Sequence, residues 1–174
     1  MYKNNKETSQ FIKGPADKFG NSRIVNTSQV SNITFRNEST PEEEYYKIIF
    51  NFNTGVSLKN DYDKIIPQYV YFVYDNSKEY FEMLAKLNKL IDGKGWLAPK
   101  NVQGNVNMII NPEYISFMAE DPRKNRIIVN MSCGVSFYDN NQRVTSDFIY
   151  LDYPTIEDMR QEQTYIDGVL AEFV

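Results

Sequence analysis

The chain contains no histidine, and that absence removes more function classes than any residue it possesses. Without imidazole there is no Ser-His-Asp or Cys-His catalysis, no histidine-containing zinc site and no histidine pH switch. Cysteine occurs once, at Cys133, so an internal disulfide is excluded. That usage fits a reducing cytosol, or any place where disulfides are not needed. No apolar run approaches the roughly 18 residues of a membrane span. The first residues, Met-Tyr-Lys-Asn-Asn-Lys-Glu, lack an apolar core of the secretory type, so no signal peptide is expected. The sites of form Asn-x-Ser/Thr at Asn26, Asn32, Asn37 and Asn130 are accordingly expected to be accidental.

What is present is ordinary for a globular domain: 174 residues, 41% hydrophobic and 24% charged, with 13 Tyr and 11 Phe. The net charge of −4 is unevenly spread. Residues 1–23 hold Lys3, Lys6, Lys13, Lys18 and Arg23 against Glu7 and Asp17. Residues 101–174 are strongly acidic. A flexible basic arm over 1–23, without regular structure, is expected ahead of a mildly acidic body.

The organising feature is a repeat. Lys47-Ile-Ile-Phe-Asn-Phe-Asn-Thr-Gly-Val-Ser-Leu58 aligns without a gap on Arg126-Ile-Ile-Val-Asn-Met-Ser-Cys-Gly-Val-Ser-Phe137. The offset is 79 residues, as from Ile48 to Ile127, and it continues through Tyr71/Tyr150 and Tyr74/Tyr153. Upstream the offset is 85, pairing Asn26, Val30, Ser31 and Ile33 with Asn111, Ile115, Ser116 and Met118. The difference is one insertion in the polar stretch Glu38–Glu44. Two copies are too few for a solenoid. A pseudo-twofold pair of subdomains sharing one core is expected, the first over 24–100 with its linker and the second over 101–174.

Strands are predicted over 24–35, broken near Thr27-Ser28, and over 46–52 and 68–74, with a return strand from Val56 after the Asn53-Thr54-Gly55 turn. A helix is predicted from the cap Asn76, with Tyr80, Leu84, Leu87 and Ile91 on its apolar face. Trp96 is expected at the seam between copies. The second copy predicts strands over 105–110, 113–119, 126–131, 135–138 and 147–153. A turn falls at 121–125. A helix capped by Thr155 follows, with Met159, Ile166, Leu170 and Phe173 on its core face. The fold class is therefore α+β: two tandem ββββα repeats with antiparallel sheets and two helices.

The pleat sorts side chains onto two faces. Val70, Phe72 and Tyr74, matched by Ile149, Leu151 and Tyr153, read as the helix-packed core. The opposite face carries Lys47, Asn51, Tyr69 and Tyr71 in the first copy, and Arg126, Asn130, Phe148 and Tyr150 in the second. Aromatics beside cations on a sheet suit single-stranded nucleic acid: bases stack and cations meet phosphates. The same faces would equally pack on each other or on a neighbouring subunit.

The remaining candidates point to no chemistry. Glu42-Glu43-Glu44 is a solvated loop. Asp61 and Asp63 lack EF-hand spacing. Gly93-Lys94-Gly95 lacks a Walker pattern. Cys133 replaces Thr54 of the first copy and reads as a turn residue. Asp158 reads as part of a helix cap, near Asp152. No catalytic residue, metal ligand or cofactor is expected.

A tandem ββββα arrangement over 24–174 resembles the Whirly proteins and the related mitochondrial guide-RNA-binding proteins. The resemblance implies single-stranded nucleic-acid binding and oligomeric assembly. The Lys-Gly-Lys-Ala pattern typical of Whirly proteins is missing here, and no functional residue is carried over from that family. The expectation is a nonenzymatic single-stranded DNA- or RNA-binding protein using paired sheet faces. The alternative is a structural or assembly protein, such as a viral or phage virion component, whose sheets and arm contact neighbouring subunits. Either would act in a cytoplasm, or in a virion if viral, as a homo-oligomer or within a larger assembly, with no membrane partner.

Overall fold

The computed structural model describes residues 11–16, 19–52, 58–59, 65–66, 69–91, 95–132, 137–138, 144–145 and 148–171. The fold is α+β, and every ladder between named strands is antiparallel. The Gly55 turn, the Asp61/Asp63 pair, Cys133 and Phe173 lie outside the described residues.

The chain opens with a hairpin of β1 (Phe11–Ala16) and β2 (Ser22–Asn26). This corrects the expectation that residues 1–23 lack regular structure; residues 1–10 are outside the described set. The hairpin forms because its inward positions are apolar or small. Ile12 and Val25 are buried and join the first core. Gly14 lies so close under Phe72 that no side chain fits between them.

A 3-10 turn over Thr27–Gln29 breaks the next strand where expected, capped by the Asn26 side chain, which accepts from Ser28 N. There follow β3 (Val30–Asn37), β4 (Tyr46–Phe52), the short β5 (Leu58–Lys59) and β6 (Ile65–Ile66), and β7 (Tyr69–Tyr74). Helix α1 (Ser77–Ile91) starts at Asn76, whose side chain accepts from Glu79 N at 2.9 Å. Its core face is Tyr80, Met83 and Leu87, with Leu84 half-buried.

The second half begins with β8 (Met108–Ile110), and a 3-10 turn over Pro112–Tyr114 is capped by Asn111 as the first turn is by Asn26. Next come β9 (Ile115–Asp121), β10 (Arg126–Met131), β11 (Phe137–Tyr138), β12 (Val144–Thr145) and β13 (Phe148–Asp152). The turn at 121–125 is a 3-10 segment that ends in left-handed Asn125. Helix α2 (Ile156–Leu170) is capped by Thr155, which accepts from Asp158 N at 3.1 Å.

The sheets run β7-β4-β3-β8 and β13-β10-β9, with three two-stranded ladders beside them. Two departures from the sequence reading matter. Strand β8 pairs with β3, so the first sheet borrows a strand from the second half. There are also two cores where one shared core was expected. One lies between β1, β2, the first sheet and α1; the other lies between the second sheet and α2. Among the described residues no helix is long and apolar enough to cross a membrane.

Candidate nucleic-acid interface

Each central strand turns its apolar side to a helix and its mixed side outward. In β4, Ile48 and Phe50 are fully buried, while Lys47, Ile49 and Asn51 alternate with them. Register fixes their neighbours. Lys47 lies between Arg36 and Val73, Ile49 between Thr34 and Tyr71, and Asn51 between Asn32 and Tyr69. In β10 the corresponding rows are Arg126 between Asp121 and Asp152, Ile128 between Ala119 and Tyr150, and Asn130 between Phe117 and Phe148. The eight residues singled out from the pleat thus fall on two outer faces, four to each.

The first face is a shallow groove of about 530 Å³, lined by Arg36, Tyr45, Lys47, Asn51, Tyr69 and Tyr71 among others. Tyr69 and Tyr71 are 45% and 39% exposed, with ring centroids 6.2 Å apart. Arg23 sits over the Tyr71 ring at 5.4 Å and donates to Tyr71 O at 3.2 Å. Lys47 lies 5.0 Å from the Tyr45 ring centroid and 2.7 Å from the Glu38 carboxylate. That hydrogen bond to Glu38 raises the lysine pKa, so the ammonium stays charged. Arg36 reaches the same carboxylate at 3.8 Å. Two cations, Lys47 and Arg36, therefore share one acid, while Arg23 is held by the Tyr71 ring and carbonyl. Such exposed pairs are weak and exchange readily for another anion.

The second face repeats the strand rows with a different charge. Arg126 grips Asp152 with two hydrogen bonds, at 2.5 and 3.0 Å, and lies 4.5 Å from the centroid of the Tyr150 ring. The Asp152 hydrogen bond holds its pKa above the ordinary value. Asp121 occupies the same row, so acids outnumber the cation. Phe148 and Tyr150 stack at 6.3 Å with their planes 12° apart. Phe117 and Tyr150 are each 53% exposed.

The two asparagines are anchored at the strand ends. Asn51 Nδ2 donates to Asn32 Oδ1 at 2.7 Å, and Ser31 Oγ donates to Asn51 O at 3.1 Å. Ser116 repeats the second bond, to Asn130 O at 3.0 Å, and also contacts the Asn130 side-chain oxygen. Phe117 stands where the first half has Asn32, so the Asn130 amide nitrogen is buried with no partner among the described residues. The asparagines thus serve the strand ends in both halves.

Sequence reasoning missed Arg23, Arg36, Tyr45 and Phe117. Arg36 and Phe117 were recoverable by extending the pleat to β3 and β9. Arg23 was hidden by assigning it to an arm. Of the other candidates, Glu44 accepts from Ser77 N at 2.5 Å at the start of α1, and Asp158 completes the α2 cap. Among the described residues no group of three or more Cys, Asp or Glu is placed to hold a metal ion. Comparison with known proteins found no matching family model, no matching curated protein and no matching solved structure.

Proposed function

We propose that the protein binds single-stranded nucleic acid, without catalysis, through the outer face of its first sheet. The observation that carries this reading is the groove in which Arg36 and Lys47, which share Glu38, lie beside Tyr45, Tyr69 and Tyr71, with Arg23 over the Tyr71 ring at its margin. Exposed rings accept bases of any sequence, and the cations take phosphates as Glu38 releases them. The resemblance to Whirly proteins points the same way. The site is asymmetric: Phe148 and Tyr150 contribute stacking surface, Asn130 is buried at a strand end, and Arg126 adds little phosphate affinity because it is committed to Asp152.

Fluorescence anisotropy with a labelled single-stranded oligonucleotide tests this. With three cations engaged, log affinity should fall with log salt at a slope of about −2. Tyr71→Ala should remove about 1–3 kcal/mol, roughly tenfold in affinity, and Tyr150→Ala less. A flat salt response, or Tyr71→Ala binding as the wild type does, would overturn the reading.

The second face favours a different role. Its exposed Phe117 and Tyr150, with Arg126 neutralised, suit contact with a neighbouring protein subunit. If sedimentation shows an oligomer that Tyr150→Ser disperses, while no oligonucleotide binds, the assembly reading replaces the first.

A further inference from the structure

A cavity of about 550 Å³ opens between α2 and the segment that leads from α1 to β8. Its walls include Ala98, Lys100, Tyr153, Asp158, Glu162 and Tyr165. Glu162 is 9% exposed, so a carboxylate occupies a core position of the helix. The first half fills the equivalent place with Met83, so packing alone does not require an acid there. Glu162 Oε1 accepts from Lys100 N at 3.1 Å. Its other carboxylate oxygen is not among the buried unpartnered atoms and so is open to the cavity, and among the described residues no ion pair joins Glu162 to a cation. Tyr153, 7% exposed, lines the same cavity with a buried hydroxyl that lacks a partner among the described residues. The Tyr165 hydroxyl accepts from Ala98 N at 3.3 Å, and its side is 41% exposed. A buried hydroxyl left unsatisfied beside a half-bonded carboxylate is costly unless something completes it.

We propose that this cavity binds an organic cation, a primary ammonium or guanidinium on a short apolar stem, with Glu162 as counter-ion. The cation's N–H groups donate to the free Glu162 oxygen and to the Tyr153 hydroxyl oxygen. Its stem lies along the tyrosine rings, where a cation is further favoured. Asp158 adds negative charge at the wall. The ligand chemistry is shared by a lysine or arginine side chain of a partner protein and by a free small amine.

Calorimetric titration of the full chain distinguishes these. The probes are butylammonium, butylguanidinium, a blocked lysine tripeptide, butanol and butyrate. Both cations should bind, and butanol and butyrate should not. Glu162→Gln keeps the bond to Lys100 N and removes the charge; it should weaken cation binding at least tenfold. Tyr153→Phe should weaken it severalfold, whereas Tyr74→Phe, the same deletion at the equivalent position outside the cavity, should leave it unchanged. Circular dichroism verifies that each variant is folded. Tighter binding of the tripeptide identifies a protein side chain as the occupant, and tighter binding of the free cations a small amine. Equal binding of butanol and butylammonium, undiminished binding by Glu162→Gln, or no heat from either cation would overturn the proposal.

Discussion

Two tyrosines carry the clearest residue-level cost in the molecule. Tyr74 and Tyr153 occupy equivalent positions just after or at the end of the last strand of each half, and both hydroxyls are buried without a partner among the described residues. Burial is the main cause that pushes each phenol pKa well above its ordinary value of about 10. Glu79 adds to this at Tyr74, and Glu162 and Asp152 add to it at Tyr153. The sign follows from the raised folded-state values. The native state holds these protons after the unfolded chain has begun to release them, so stability is full below about pH 10 and falls as pH rises further. Denaturant midpoints measured across the alkaline range should show this decline. The double variant Tyr74→Phe/Tyr153→Phe should flatten the decline. It should also be more stable at neutral pH by about 1–3 kcal/mol, having lost two unsatisfied hydroxyls. An unchanged alkaline slope would mean that these phenols titrate freely in the native state.

At the scale of elements, the contact between β1 and β7 is the least forgiving. A Cβ on Gly14 would lie 2.5 Å from Phe72 Cδ1 and Cε1. Phe72 has no room to retreat, being 2% exposed and tilted against Phe50 at 4.9 Å. Gly14→Ala should therefore cost about 1–3 kcal/mol by overpacking. Urea denaturation measures it, and combining it with Phe72→Leu should recover part of the loss. This hairpin was the element least legible in the sequence. Its strands are short, Phe11 and Ile24 point outward at 58% and 66% exposure, and Gly14-Pro15 reads as a breaker. By contrast β4 is found at the bounds its alternation predicts, because Ile48 and Phe50 alternate with Lys47 and Asn51 over a whole strand. Both helix starts were legible because Asn76 and Thr155 satisfy local donors, a rule that needs no tertiary context. The groove was half legible: periodicity places Lys47, Asn51, Tyr69 and Tyr71 on one face, but Arg23 arrives from a hairpin that the pattern did not announce. Glu162 escaped the helix pattern because a polar residue at a core position breaks it. Setting α2 against α1 at the 79-residue offset, where Glu162 meets Met83, would have exposed it.

The whole molecule is joined along a seam beside Trp96, where the sequence placed it, but no local pattern foretold its strand pairing. Leu97 pairs with Ile110 across two backbone hydrogen bonds, at 2.9 and 2.8 Å, and β8 pairs in turn with β3. Side chains alternate across this ladder. Trp96, Ala98 and Ile109 pack on the first core, whereas Leu97 and Ile110 belong to the second. Further bonds tie the halves nearby: Tyr114 Oη donates to Ser28 O at 2.6 Å, and Asn111 N to Ser31 O at 2.9 Å. A strand with one side in each core cannot leave either without stripping the other, so the two halves should unfold together. Ile110→Ala, at a fully buried position, should cost about 2–5 kcal/mol. Its distinguishing consequence is where protection is lost. Hydrogen exchange should accelerate in β3 and β4 as well as in β9 and β10, with a single thermal transition shifted downward. If only the second sheet loses protection, the seam is a contact between independent domains and the binding groove of the first half would work without the second.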